Sequence, residues 1–210
     1  MNQIYGKQRY IYDASRKFYL LGRDRLINEM RPPNGGAVLE IGCGTGRNLV
    51  AAAQIRKRAS YFGIDISDEM LKSANRSIER YQLCKKVKTA QADATNFDPE
   101  NLFGIEKFDR IFMSYTLSMI PDWKVAIDEA LEHLADNGSL HIVDFGMQTE
   151  LPAWFRKILT QWLKLFHVTP RSDLMQYLET KANLENRGLI LKKPFRDYAC
   201  YYVMGPKRIK

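Results

Sequence analysis

In "VLEIGCGTGRN", residues 38–48, apolar Val38, Leu39 and Ile41 flank Glu40, and Gly42, Gly44 and Gly46 then fall on alternate positions. The apolar run, 37–42, reads as a buried strand, and the following "GRNLVAAAQIRKR" (46–58) has helical spacing. A strand that ends in glycines and turns into a helix is the first half of a βαβ unit, and the chain repeats the pattern. Strands are expected at 61–66, 87–94, 108–115 and 139–145. Helices are expected at 67–83, with Ser67 and Asp68 as cap candidates, and at 122–135, which runs toward the stop signal Asn137-Gly138. A further helix over 15–30 precedes the first strand and is stopped by Pro32 and Pro33. Such alternation predicts an α/β fold with a mostly parallel sheet. "LILKKPF" and "YACYYVM", on either side of Arg196-Asp197, read as an antiparallel pair on one sheet edge. Without a repeat or linker, the 210 residues are read as one domain, 1–210.

In an open α/β sheet, ligands bind beyond the carboxyl ends of the strands, where the glycine loop 42–46 falls. A phosphate loop requires GxxxxGK followed by Ser or Thr, which is absent, and a dinucleotide fingerprint requires GxGxxG. Counted from Gly42, the third glycine of that fingerprint falls on Arg47, so the spacing is GxGxG instead. Glu40 beneath such a loop repels a pyrophosphate and attracts an ammonium. S-adenosylmethionine, which carries an α-ammonium and a sulfonium and no phosphate, fits. Asp65 at the end of the second strand is placed to accept both ribose hydroxyls. Asp93 at the end of the third is placed to accept from the adenine amino group. Any one acid alone reads as strand-end solvation; three at successive strand ends beside GxGxG form a constellation.

Hydrophobic residues make up 45% of the chain, which suits a folded core, and no run of roughly 18 apolar residues marks a membrane span. The polar, tyrosine-rich start lacks a signal-peptide core. Cys43, Cys84 and Cys200 are scattered with no CxxC, which argues against a disulfide framework or a metal site and for a reducing cytoplasm. The net charge of +8 favours an acidic partner, whether nucleic acid, anionic lipid or anionic metabolite, unless the protein is simply basic.

The set Glu40, Gly42, Gly44, Gly46, Asp65 and Asp93-Ala94 resembles the class I S-adenosylmethionine-dependent methyltransferases over roughly residues 35–145. That resemblance implies a Rossmann-like, seven-stranded, mostly parallel sheet with an antiparallel last strand and helices on both faces. Cofactor contacts are then expected from Tyr19, Arg23, Cys43, Ile66, Met70 and Ser114 beside the residues already named. "IYDASRKFYLLGRDRLI" (11–27), "YTLSMIPDW" (115–123), "HIVDFG" (141–146) and "FHVTPR" (166–171) are similar to the bacterial betaine-lipid methyltransferases. This closer resemblance implies trimethylation of the amine of diacylglyceryl-homoserine. It also implies an N-terminal helical lid over 1–33 and a helical insertion over 147–186 covering the substrate mouth.

Tyr12, Tyr19 and Arg23 share a helical face; they form either a lid, with Arg23 near the methionyl carboxylate, or an aromatic packing stripe. Ser114 and Tyr115 end the fourth strand without the proline pair of a DNA amino-methyltransferase, which disfavours a nucleic-acid substrate. The attacking amine must be neutral, so its proton must leave. Asp144, His141 and His167 are candidates to receive it, with Tyr115 and Asp144 as the catalytic pair. His141, mid-strand, also reads as a core histidine, and His167 as a wall of the substrate mouth or a surface residue. Tyr12, Tyr115, Phe145 and Tyr198 offer faces to a quaternary ammonium. Arg171 or Arg196 is the candidate for the homoserine carboxylate. Segment 151–168 places Leu151, Trp154, Phe155, Ile158, Trp162 and Phe166 on one face, which suits an interfacial helix on anionic lipid or a helix packed on its own sheet. Lys207, Arg208 and Lys210 add a basic tail. The expectation is a cytoplasmic enzyme, peripheral on an anionic membrane face, acting on a lipid headgroup. The rivals are methylation of RNA or a small molecule, or a non-catalytic docking module.

Overall fold

The computed structural model describes residues 20–166 and 168–207. A seven-stranded sheet runs in the order β3-β2-β1-β4-β5-β7-β6. Its strands are β1 (Ala37–Ile41), β2 (Ser60–Asp65), β3 (Val87–Gln91), β4 (Phe108–Ser114), β5 (Leu134–Phe145), β6 (Arg187–Lys192) and β7 (Ala199–Pro206). The first five pair in parallel, and β7 lies antiparallel between β5 and β6. Of the two tail strands only β6 is an edge, because β7 is inserted against β5.

The helices are α1 (Arg23–Met30), α2 (Arg47–Ile55), α3 (Asp68–Arg80), α4 (Pro99–Phe103), α5 (Trp123–Glu132), α6 (Ala153–Leu165) and α7 (Leu174–Leu184). Strand β1 is buried on both faces, as a central parallel strand must be. Val38 points into the layer formed with α1, α2, α3 and α6, while Leu39 and Ile41 point into the layer formed with α5 and α7. Helix α3 starts where the sequence places it: the Ser67 side chain accepts from the Met70 N–H, and Asp68 and Glu69 occupy the positive first turn. The short α4, capped by Asp98 with Pro99 in its first turn, has no counterpart in the expected elements; five residues are too few to show periodicity. Strand β5 begins earlier than the expected 139. Phe108 pairs Leu134 and Arg110 pairs Ser139, so 135–138 bulge out, and Arg187 donates to the Ala135 and Gly138 carbonyls there.

The segment 147–186 is helical, but its two helices lie on opposite faces of the sheet. Leu159 and Leu163 of α6 join one layer, and Leu174, Leu178 and Ala182 of α7 join the other. The apolar stripe expected over 151–168 divides: Leu151, Trp162 and Phe166 pack against the core, whereas Trp154, Phe155 and Ile158 stand in solvent. The buried positions Leu159 and Leu163 set the helix rotation, and successive residues turn about 100° from one another.

Candidate functional site

A cavity of about 610 Å³ opens at the carboxyl ends of β1, β2 and β4. Its wall includes the glycine loop, Glu40, Asp65, Asp93, Ser114 and Tyr115. Gly42, Gly44 and Gly46 have φ of 72°, 53° and 73°, a left-handed turn three times over. Gly42 has a second reason to be glycine: a Cβ there would overlap the Thr116 side chain, whose hydroxyl donates to the Ile41 carbonyl. A Cβ at Gly46 would press on Ala74 of α3.

The Gly44 N–H donates to Asp65 Oδ2 at 2.7 Å, and the Ser67 N–H to Asp65 Oδ1 at 2.9 Å. One acid thus joins the glycine loop to the start of α3 and keeps a free lone pair on each oxygen. Ile66, beside it, is 69% exposed and lies on the cavity wall with Met70 and Ala94, an apolar setting for a flat heterocycle. Asp93 sits at the cavity rim just beyond β3, and its Oδ1 accepts from both the N–H and hydroxyl of Thr95, which holds its carboxyl below the usual range.

Glu40 is 1% exposed. Its Oε1 accepts from Asn48 Nδ2 at 2.7 Å, and its Oε2 is buried with no hydrogen-bond partner. Burial, opposed by the Asn48 bond and assisted by Asp65, pushes its pKa up to about 8. A buried carboxylate oxygen without a partner at a cavity wall is the fit for a cationic ligand group. Arg23 and Arg47 also line the cavity; Arg23 Nε donates to the Leu20 carbonyl and Arg47 pairs with Asp24 at 2.6 Å. Cys43 lines it as well, its thiol raised well above the ordinary value by burial.

Tyr115 continues β4 with a positive φ of 57°, donates its hydroxyl to the Leu21 carbonyl at 2.6 Å, and rests its ring edge-on to Phe145. It therefore ties the Leu20–Leu21 stretch before α1 to the cavity wall. Ser114 Oγ is buried on the wall without a partner.

Asp144 is placed differently from the acids on the cavity wall. It does not line the cavity; it is turned beneath the loop after β4, accepting from the Ser118 and Phe145 N–H groups. Burial raises its pKa to about 6, and these bonds make it a brace for the loop after β4. Arg171 is likewise committed: Nε donates to the Leu117 carbonyl and a terminal nitrogen to the Ile120 carbonyl, fixing the cavity rim from outside. Arg196 is exposed and not part of the cavity wall, and Tyr198 is buried against Phe145 rather than in the wall. Among the described residues of 147–186 none lines this cavity; Arg171 instead bonds the carbonyls of Leu117 and Ile120 beside its rim. Tyr12, Tyr19 and His167 lie outside the described residues. His141 is the core histidine: its ring nitrogens bond Tyr201 and Ser139 hydroxyls, and burial pushes its pKa down to about 3. Asn48 and Thr116 are among the site residues that sequence reasoning missed. Their partners lie eight residues away and across the sheet, so no local spacing announces them.

Together, this strand order, the glycine loop and the acids at strand ends define the Rossmann-like fold of S-adenosylmethionine-dependent methyltransferases. A family model described as "Methyltransferase domain" matches residues 33–186, and the chain belongs to that family. A phosphatidylethanolamine N-methyltransferase of Cereibacter sphaeroides is 32% identical over 110 residues, 52% of this chain and 51% of that protein. A demethylmenaquinone methyltransferase of Lactobacillus johnsonii is 24% identical over 144 residues, 66% of this chain and 57% of that protein. The chain thus spans little more than half the length of these curated relatives. Its fold is shared by the phosphoethanolamine N-methyltransferase 2 of Haemonchus contortus, solved with S-adenosyl-L-methionine, at a TM-score of 0.69 and 15% identity, covering 89% of this chain and 52% of that one.

Proposed function

We propose that the protein is an S-adenosylmethionine-dependent N-methyltransferase whose acceptor is the amine of a lipid headgroup, diacylglyceryl-homoserine in the finest reading. The observation that carries the cofactor assignment is the unpartnered Glu40 oxygen in the cavity wall. In this reading Glu40 and Arg23 hold the methionyl ammonium and carboxylate, Asp65 the ribose hydroxyls, and Ile66, Met70, Ala94 and Asp93 the adenine. Cys43 and the backbone of Gly42 and Gly44 form the floor. The bound cofactor supplies an electrophilic sulfonium methyl.

Because that carbon is already activated, the chain's task is positioning and water exclusion. Tyr115 contributes both, through its bond to the Leu21 carbonyl and its aromatic face. Ser114 Oγ is a polar atom able to accept an amine N–H and orient the nitrogen lone pair. With Asp144 braced under the loop and His141 sealed in the core, the departing proton passes to solvent. The lipid amine is supported by the phosphatidylethanolamine N-methyltransferase relative and by the resemblance of the 11–27 and 115–123 stretches to betaine-lipid methyltransferases.

A second reading, methylation of a demethylmenaquinone, is favoured by the wider match to demethylmenaquinone methyltransferase. Incubation with methyl-labelled S-adenosylmethionine and, separately, diacylglyceryl-homoserine, phosphatidylethanolamine, demethylmenaquinol and RNA tests the assignment. Label in either amine lipid is expected; label only in the quinol or RNA overturns it.

A further inference from the structure

Helix α6 follows the carboxyl end of β5, so it leaves the sheet on the edge where the cavity opens. Its inward residues Leu159 and Leu163 satisfy the core. Turned away from them are Trp154, Ile158 and Leu165, spaced 4 and 7 apart on one face and 67%, 59% and 75% exposed. Folding leaves large apolar side chains on a helix that already has a buried face.

A second exposed apolar group lies on the turn before β7. The stretch before α6 is tied to the turn before β7: Gly146 N–H donates to the Tyr198 carbonyl, Gln148 N–H to the Asp197 carbonyl, and the Thr149 hydroxyl to Asp197 Oδ2 at 2.8 Å. That turn holds Phe195, Arg196 and Asp197 at φ of 60°, 56° and 59°. Three successive non-glycine residues in the left-handed region are costly, and the Asp197 contacts hold them there. Phe195 and Arg196 of the turn are exposed, as is Met147 in the stretch that these bonds tie to it. Exposed cations lie on both segments: Lys157 at the edge of the apolar stripe of α6, with Arg156 on the other side of the helix, and Arg196 on the turn beside Lys193, which pairs with Asp197 at 3.6 Å; Glu150 is the exposed acid nearby in sequence.

We infer that this composite face of α6 and the 193–197 turn docks the protein on an anionic bilayer, with the cavity edge toward the lipid. The inference rests on the lipid-headgroup reading for its purpose, and on the exposed face for its evidence. Charge complementarity selects the occupant: aromatic and aliphatic side chains enter the interfacial zone while arginine and lysine meet anionic headgroups. A second copy seated on the same face by two-fold symmetry would set these cations against themselves. Among the described residues no helix is long and apolar enough to cross a membrane, so the contact lies in the interface plane.

The test is flotation of the full chain with vesicles of phosphatidylcholine alone and of equal parts phosphatidylcholine and phosphatidylglycerol. Wild type is compared with Ile158→Glu and with a variant carrying both Lys157→Glu and Arg196→Glu, and affinity for S-adenosylmethionine is measured in parallel. Wild type is expected to float with the anionic vesicles, each variant to bind about tenfold or more weakly, and cofactor affinity to stay unchanged. In brominated vesicles Trp154→Phe should remove most of the quenched tryptophan signal. Equal flotation of wild type and both variants overturns the inference, as does a wild-type dimer in sedimentation equilibrium that Ile158→Glu dissolves. Normal flotation without methyl transfer to any lipid would instead overturn the proposed substrate and leave the docking face standing.

Discussion

The half of the chain from β1 to the loop after β4 and the half from α6 to β7 solve different problems. In the first, acids at or near strand ends take backbone groups of the cofactor loops: Asp65 accepts from the Gly44 and Ser67 N–H groups, and Asp93 from Thr95, while Glu40 leans on Asn48 of α2. In the second, Arg171 reaches back to bond two carbonyls after β4, and Asp197 fixes the stretch leading into α6. The first half builds a cavity; the second supports its rim and turns an apolar, basic face outward. A cofactor of fixed shape requires the former, and a substrate that arrives from elsewhere requires the latter.

That contrast can be broken by substitution. The largest effect is expected from Gly42→Val, which adds a branched side chain at a left-handed φ and into Thr116. Calorimetry should detect no cofactor binding, and circular dichroism a loss of stability; an intact affinity would mean that the loop is not the cradle. Asp65→Ala follows, with binding about 100-fold weaker, from lost charge-assisted bonds to backbone and ligand, in a protein that still folds. Unchanged affinity there would misplace the ribose.

Glu40→Gln separates binding from stability. Glu40 titrates near 8 in the fold against an ordinary 4.5, so between those values the folded state holds a proton that the unfolded chain has lost. Stability therefore falls as pH rises through that window, by at most about 1.4 kcal/mol per pH unit. The glutamine variant should show a flatter fall of Tm from pH 5 to pH 8 and bind the cofactor about tenfold more weakly. A wild-type Tm that does not respond differently from the variant's contradicts the burial of this carboxyl. In the second half, Arg171→Ala should raise KM for the methyl acceptor about threefold to tenfold by orphaning the Leu117 and Ile120 carbonyls. Its cofactor affinity should change little. A large loss of cofactor affinity would show that the rim and the cradle are one unit.

The two halves also differ in how far they can be read in the sequence. β1, the glycine loop, Asp65 and Asp93 were legible because strand periodicity and short spacing are local properties. The tail strands were legible as an antiparallel pair, since their apolar runs flank an evident turn. What stayed hidden depends on direction. Asp144 ends its strand like the other acids, yet its side chain turns under the loop to Ser118 rather than into the cavity. Arg171 is as suitable for a carboxylate in sequence as in chemistry, but two carbonyls across the fold claim it. The exposed stripe of α6 is similar: Trp154 and Trp162 look alike in a helical pattern, and only the rotation fixed by Leu159 and Leu163 tells them apart.

The central claim is that an acid-walled loop takes a sulfonium nucleoside and rejects a diphosphate. Titration calorimetry with S-adenosylmethionine and with a nicotinamide dinucleotide, in two buffers of different ionisation enthalpy at pH 7, tests it most directly. Saturable binding of S-adenosylmethionine with release of a proton, as Glu40 ionises against the ligand ammonium, is the predicted result. Binding of the dinucleotide with no heat from S-adenosylmethionine would contradict it.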